Sequence, residues 1–190
     1  MTWFLFGLVG FLAIHSISIV APGWRDAMVA RIGAPGWRGL YSVASIATFA
    51  AMIHGYGLAR LSPVVIYTPP AGLRHLAMLL MLPAFTMLLS AYLPGRIKTR
   101  LKHPMLAAVK LWALAHLLAN GMLADVLLFG GFLAWAVVDR ISVGRRPPRP
   151  VAGAPAGRYN DAIAVVGGLV LYAIFITWAH GRLIGVPLMP

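Results

Sequence analysis

Six apolar stretches divide this 190-residue chain, and they fix what it can fold into. They are Trp3–Ala21, Leu40–Ala59, Leu73–Leu93, Pro104–Ala119, Met122–Val138 and Ala162–Ala179. Crossing the hydrocarbon of a bilayer takes about 20 apolar residues in a helix, because each backbone N–H and C=O must be satisfied within the segment. The chain is 61% hydrophobic and 11% charged, against about 45–50% and about 25% in soluble domains. The expected class is therefore an all-α, polytopic membrane helical bundle of six transmembrane helices, forming one domain over residues 1–190. No basic n-region precedes the first stretch, so it reads as a retained span rather than a cleaved signal.

The basic residues sort by side. Arg25, Arg31 and Arg38 lie between spans 1 and 2, and Arg96, Lys98, Arg100 and Lys102 between spans 3 and 4. Arg140, Arg145, Arg146, Arg149 and Arg158 lie between spans 5 and 6. The alternate loops and the C-terminal tail hold only Arg60, Arg74 and Arg182, and Lys110 lies within span 4. The positive-inside rule places the three basic loops in the cytoplasm and both termini on the non-cytoplasmic side. The net charge of +12 is thus topogenic and lipid-facing, and no nucleic-acid partner is expected.

Smaller signals refine this topology. The first loop repeats "APGWR" at 21–25 and 34–38 around "DAMVARIG", which reads as an interfacial helix anchored by Trp24 and Trp37. Asn120-Gly121 reads as a tight hairpin between spans 4 and 5, with the glycine at a helix C-cap. Residues 144–157, "GRRPPRPVAGAPAG", read as a proline- and glycine-rich loop.

Composition excludes several chemistries. There is no cysteine, hence no disulfide, iron–sulfur cluster, thiolate haem ligand or covalent c-type haem. There is no glutamate, and the acids are Asp26, Asp125, Asp139 and Asp161 alone. Paired-carboxylate catalysis and di-iron carboxylate sites lack their raw material.

An ionisable residue at membrane depth is a functional candidate by default. His75, His103 and His180 fall at span ends, where an interfacial imidazole is unremarkable. Lys110 lies about 9 Å into its span, within reach of snorkelling to the head groups. His15 lies about 9 Å from the cytoplasmic end of its span, His116 about 18 Å and His54 about 21 Å, and a short imidazole cannot snorkel from there. Neutral imidazole at depth either hydrogen-bonds across helices or ligates a metal. Zinc would lack acids to complete its shell, whereas haem needs one or two axial histidines and an aromatic slot. Trp112 and Asn120 stand four residues either side of His116, and Phe11 four before His15. Both readings, structural and haem-ligating, stand on pattern alone.

The stretch "HPMLAAVKLWALAHLLANG", with "LFGGFLAW" after it, "GLVGFLAIHSISI" near the start and "AHGRLIGVPLMP" at the end, resembles the NnrU family of bacterial membrane proteins. The resemblance implies a multi-pass protein of the bacterial inner (cytoplasmic) membrane, linked to nitrite and nitric oxide metabolism in denitrification. The "HS" of span 1, the Lys-His-Pro at 102–104 and "WALAH" at 112–116 are also similar to 15-cis-zeta-carotene isomerase, a haem b enzyme. That similarity implies haem b held by His15 and His116, with Trp112 and Asn120 lining it and His54 as the substitute ligand. The isomerase has a ligand-switching cysteine where this chain has Ala113, so its thiolate switch has no counterpart here. The expected chemistry is redox or isomerase-like, on a lipophilic molecule from the bilayer or on nitric oxide. A second reading is a non-enzymatic accessory or assembly factor for a respiratory reductase. A third, from the Lys-His-Pro segment, is a membrane methyltransferase; it lacks the Arg-Pro-His and following acid of the isoprenylcysteine enzymes.

Overall fold

A computed structural model describes residues 1–147, 149 and 152–189. Its elements are helices α1 (Thr2–Val20), α2 (Pro22–Ala59), α3 (Gly72–Ser90), α4 (Arg96–Leu101), α5 (Pro104–Ala119), α6 (Leu123–Val143) and α7 (Asn160–Ile174). A π-helical turn, Phe175–Ala179, joins α7 to α8 (His180–Ile184). No strand occurs among the described residues. A single antiparallel bridge pairs Val65 with Met122. Positions 148, 150 and 151 of the expected proline-rich loop lie outside the described residues.

Among the described residues five helices are long and apolar enough to cross a membrane: α1, α2, α3, α6 and the run from Asn160 to Ile184. The fourth expected span, α5, is apolar but has only 16 residues, about 24 Å of rise. Exposed apolar side chains such as Val9 (64%), Ile46 (67%) and Leu79 (64%) cover these helices. That surface suits lipid rather than water, and the chain is a multi-pass membrane protein.

The backbone divides into two compact units. The first comprises Met1–Thr68 and Asn120–Ser142, and the second Pro69–Ala119 and Val143–Pro190. In the first, α1 and α2 pack with their backbones nearly touching. A Cβ on Gly7 would collide with the backbone of Met52, and one on Gly55 with the backbone of Phe4. Small residues allow such close approach, which is how helices gain dispersion contacts where lipid removes the hydrophobic drive. Phe4, Leu8, Met52, Ala59 and Ala124 form the core there.

The "DAMVARIG" segment is helical, as expected, and a kink sets it off from the helix of the second span. It forms the first part of α2, which breaks at Gly33 (φ 77°, ψ 160°) and resumes at Pro35. Glycine alone enters that conformation cheaply. The two "APGWR" repeats each set a proline at or near a helical start, and their tryptophans meet edge-on at 5.9 Å, Trp24 against Trp37. Gly121 differs from its expected role. It has no positive φ and is no left-handed C-cap; its carbonyl accepts the N–H groups of Ile66 (2.8 Å) and Tyr67 (3.1 Å). A Cβ there would strike the Tyr67 carbonyl, so close backbone approach explains the glycine.

In the second unit α3 packs against α5 and α7. The Tyr172 hydroxyl donates to the Met78 carbonyl at 3.0 Å. At the other end Asn160 Nδ2 donates to the Pro94 carbonyl at 2.8 Å, so α3 and α7 run antiparallel. The carboxylate of Asp161 accepts the backbone N–H groups of Arg96 (2.8 Å) and Ile97 (3.0 Å). It caps α4 from 65 residues away in sequence, satisfying donors that a helix start leaves open.

Candidate functional site

His15 sits on the second-last turn of α1, half-buried among aromatic side chains. Its Nδ1 lies 2.8 Å from the Phe11 carbonyl, one turn back. A carbonyl can only accept, so Nδ1 carries the hydrogen and, in the neutral ring, Nε2 keeps the lone pair. The Phe11 ring stacks on the imidazole with centroids 4.0 Å apart and planes at 26°. Tyr41 of α2 lies 5.2 Å away, and Trp135 of α6 stands perpendicular at 6.1 Å. Phe49 and Phe132 close the far side of Phe11 at 5.8 and 5.7 Å.

Two polar groups from α6 lie near this aromatic cluster. Trp135 Nε1 is buried without a hydrogen-bond partner among the described residues. Asp139, one turn further on the same face, is buried at 9% exposure. Its charge acts on both the His15 ring and the Tyr41 hydroxyl. Sequence reasoning passed over Asp139 because it ended the span at Val138, whereas α6 continues to Val143.

His116 shows the same local device in the second unit. Its Nδ1 lies 2.8 Å from the Trp112 carbonyl, which fixes the hydrogen on Nδ1 and leaves the lone pair on Nε2. The Trp112 ring leans over it, centroids 5.3 Å apart at 51°. Ala113 and Ala115, between Trp112 and His116 on α5, are fully buried. Position 113 therefore holds a methyl packed without solvent.

The four expected site residues fall in pairs. Trp112 and His116 belong to the second unit, and His15 and Asn120 to the first. Asn120 follows the last residue of α5, and its carbonyl accepts the Tyr67 hydroxyl at 2.7 Å. His54, the substitute ligand, is exposed on α2. Lys110 is half-buried on α5, and His103 stands just before that helix.

A second buried acid was also missed. Asp125 is 3% exposed; it accepts the Tyr56 hydroxyl and, at 3.2 Å, the backbone N–H of Met122. The signal was present: an acid three residues past a helix start, in an otherwise apolar span, marks a cap and a buried partner.

Among the described residues no three His or Asp side chains gather into a metal-binding group. An ion needing a cage of protein ligands finds none there, whereas haem iron asks for one or two imidazoles. Each candidate imidazole meets the usual demand on a metal ligand, with Nδ1–H held by a carbonyl and Nε2 bearing the lone pair. The orphaned indole N–H of Trp135 beside His15 supplies a donor for a bound group. Each imidazole by itself carries the donor atom that a haem iron takes.

A family model described as NnrU protein matches residues 3–188. The chain belongs to the NnrU family. No curated protein and no solved structure matches this NnrU protein.

Proposed function

We propose that this NnrU protein binds haem b through His15 and His116, in redox or isomerase-like chemistry linked to nitrite and nitric oxide metabolism. The observation carrying the reading is the shared back-bond, Nδ1–H to the carbonyl four residues earlier, in both histidines. A back-bond of this kind fixes ring rotation and raises the basicity of the opposite nitrogen, as in metal-ligating histidines generally. Bound haem would supply reversible one-electron chemistry or, with one ligand released, an open coordination position.

The chain's own part follows from its residues. Phe11 holds the His15 ring flat against its own helix, Trp112 covers His116, and Phe49 and Phe132 keep water from the Phe11 face. Asp139 offers a compensating charge beside His15. Ala113 stands where the similar isomerase has a cysteine, and the chain has no cysteine, so ligand exchange here would rest on imidazole release alone.

The topology we assign has six spans, counting α5 as the short fourth, within one domain of the bacterial inner membrane. Both termini lie on the non-cytoplasmic side. The 12-to-3 distribution of basic residues between alternate sides supports it. The test of function is the absorbance spectrum of detergent-solubilised protein. Wild type should carry a Soret band at one haem b per chain, His15→Ala and His116→Ala should lose most of it, and His54→Ala should keep it. No Soret band after expression with adequate haem overturns the proposal.

A further inference from the structure

At one end of the second unit, α3 finishes at Ser90, α5 begins at Pro104 and α7 begins at Asn160. Between the first two lies α4, with four cations over residues 96–102. They do not behave alike. Lys98 turns back, its Nζ donating to the Ala91 carbonyl at 2.7 Å. Arg96 and Arg100 are exposed, one helical turn apart on one face, and neither guanidinium pairs with a carboxylate among the described residues. The nearest acid in the fold, Asp161, is engaged by the backbone N–H groups of Arg96 and Ile97.

Those two arginines line an open cleft of about 490 Å³ together with Thr99, Pro94, Gly95 and Ala156. The segment carrying Ala156 is fixed: Ala154 N–H donates to the Tyr92 carbonyl at 2.8 Å, and the Pro155 carbonyl accepts Asn160 Nδ2 at 3.0 Å. Two exposed guanidiniums one turn apart, beside a hydrogen-bonded backbone segment, can receive a tetrahedral oxyanion. Each planar fork can give paired N–H donors to phosphate oxygens.

We propose that this cleft is a binding site for a phosphate group, with Arg96 and Arg100 as its ligands. Apolar helices end here, so the cleft lies at head-group depth, where a cation adds about 1 kcal/mol toward anionic lipid. Two sources carry the chemistry: the head group of an anionic phospholipid, and free phosphate in solution. The site is independent of haem, and its test does not involve haem.

Native mass spectrometry of delipidated protein titrated with phosphatidylglycerol tests it, with phosphatidylcholine as the zwitterionic control. Wild type should hold phosphatidylglycerol about thirty-fold more tightly than Arg96→Gln/Arg100→Gln, the loss expected for two such charges. Ala156→Trp, which fills the cleft from an uncharged lining position, should weaken it comparably, and Arg74→Gln should bind as wild type. Millimolar inorganic phosphate displacing the lipid identifies the soluble source; failure to displace it identifies the head group. Equal retention by wild type and both cleft variants overturns the proposal. Loss in the charge variant with Ala156→Trp unaffected also overturns it, since attraction would then lie outside the cleft.

Discussion

Phe11 holds His15 twice, through its carbonyl to Nδ1 at 2.8 Å and through its ring, stacked at 4.0 Å. The backbone bond survives any substitution at position 11, while the stack does not. Phe11→Leu therefore isolates the ring contact, which is worth about 1 kcal/mol beyond area burial. Haem retention should fall about five-fold in Phe11→Leu, measured by haem transfer to apomyoglobin, with expression unchanged.

Gly55 and Gly57 stand two residues apart on α2 and should respond oppositely to a methyl group. A Cβ at Gly55 meets the Phe4 backbone, whereas one at Gly57 meets nothing within 4 Å. Gly55→Ala must separate α1 from α2 and should cost about 1–3 kcal/mol. Gly57→Ala should be neutral or stabilising by up to about 1 kcal/mol. Thermal unfolding in detergent distinguishes them.

Tyr56 and Asp125 bind one another at the core of the first unit. Tyr56→Phe leaves Asp125 one donor, Met122 N–H, and should cost about 1–3 kcal/mol for the unmet buried oxygen. Adding Asp125→Ala to Tyr56→Phe should cost less than the sum of the single changes, because they share one interaction. Additive losses in unfolding midpoints would mean the pair is not coupled.

These contacts show where the sequence was readable and where it was not. Span positions are a local property of hydropathy, and the fourth helix, Pro104–Ala119, falls on its expected residues. The "DAMVARIG" helix falls where the repeat placed it, and the break at Gly33 that separates it from the second span is a backbone property that hydropathy does not encode. Helix α6 outran its apolar stretch by five residues, since Asp139 finds a buried setting that hydropathy does not foresee. Tyr56 with Asp125, and Asp161 with α4, join residues more than 60 apart. No local pattern encodes such partners. At the candidate site, the histidines and Trp112 were legible as polar or aromatic groups in apolar helices. Trp135 and Asp139 were not, because only folding brings α6 beside α1.

Asp161 tethers α4, so removing its carboxylate should free that helix. Asp161→Ala should raise tryptic cleavage at Arg96, Lys98 and Arg100 roughly ten-fold, as local opening becomes easier. Cleavage should occur in inverted membrane vesicles and not in intact spheroplasts. The reverse sidedness would contradict the assigned orientation.

Tyr67, in the loop before α3, donates its hydroxyl proton to the Asn120 carbonyl at 2.7 Å. Burial, with the Asp125 charge adding to it, pushes its phenol above the usual tyrosine range. The folded protein therefore favours the neutral phenol: this stability is complete below the unfolded tyrosine pKa, and lost as pH rises through the higher folded value. The Tyr67→Phe difference in ultraviolet titration should show one phenol ionising late. An ionisation at the pH of free tyrosine would contradict it.

Electron paramagnetic resonance of the ferric protein tests the central claim most directly. Two imidazoles on one haem predict a low-spin signal in wild type that becomes high-spin, or disappears, in both His15→Ala and His116→Ala. A wild type without a haem signal, or a low-spin signal unchanged in either variant, would contradict the account.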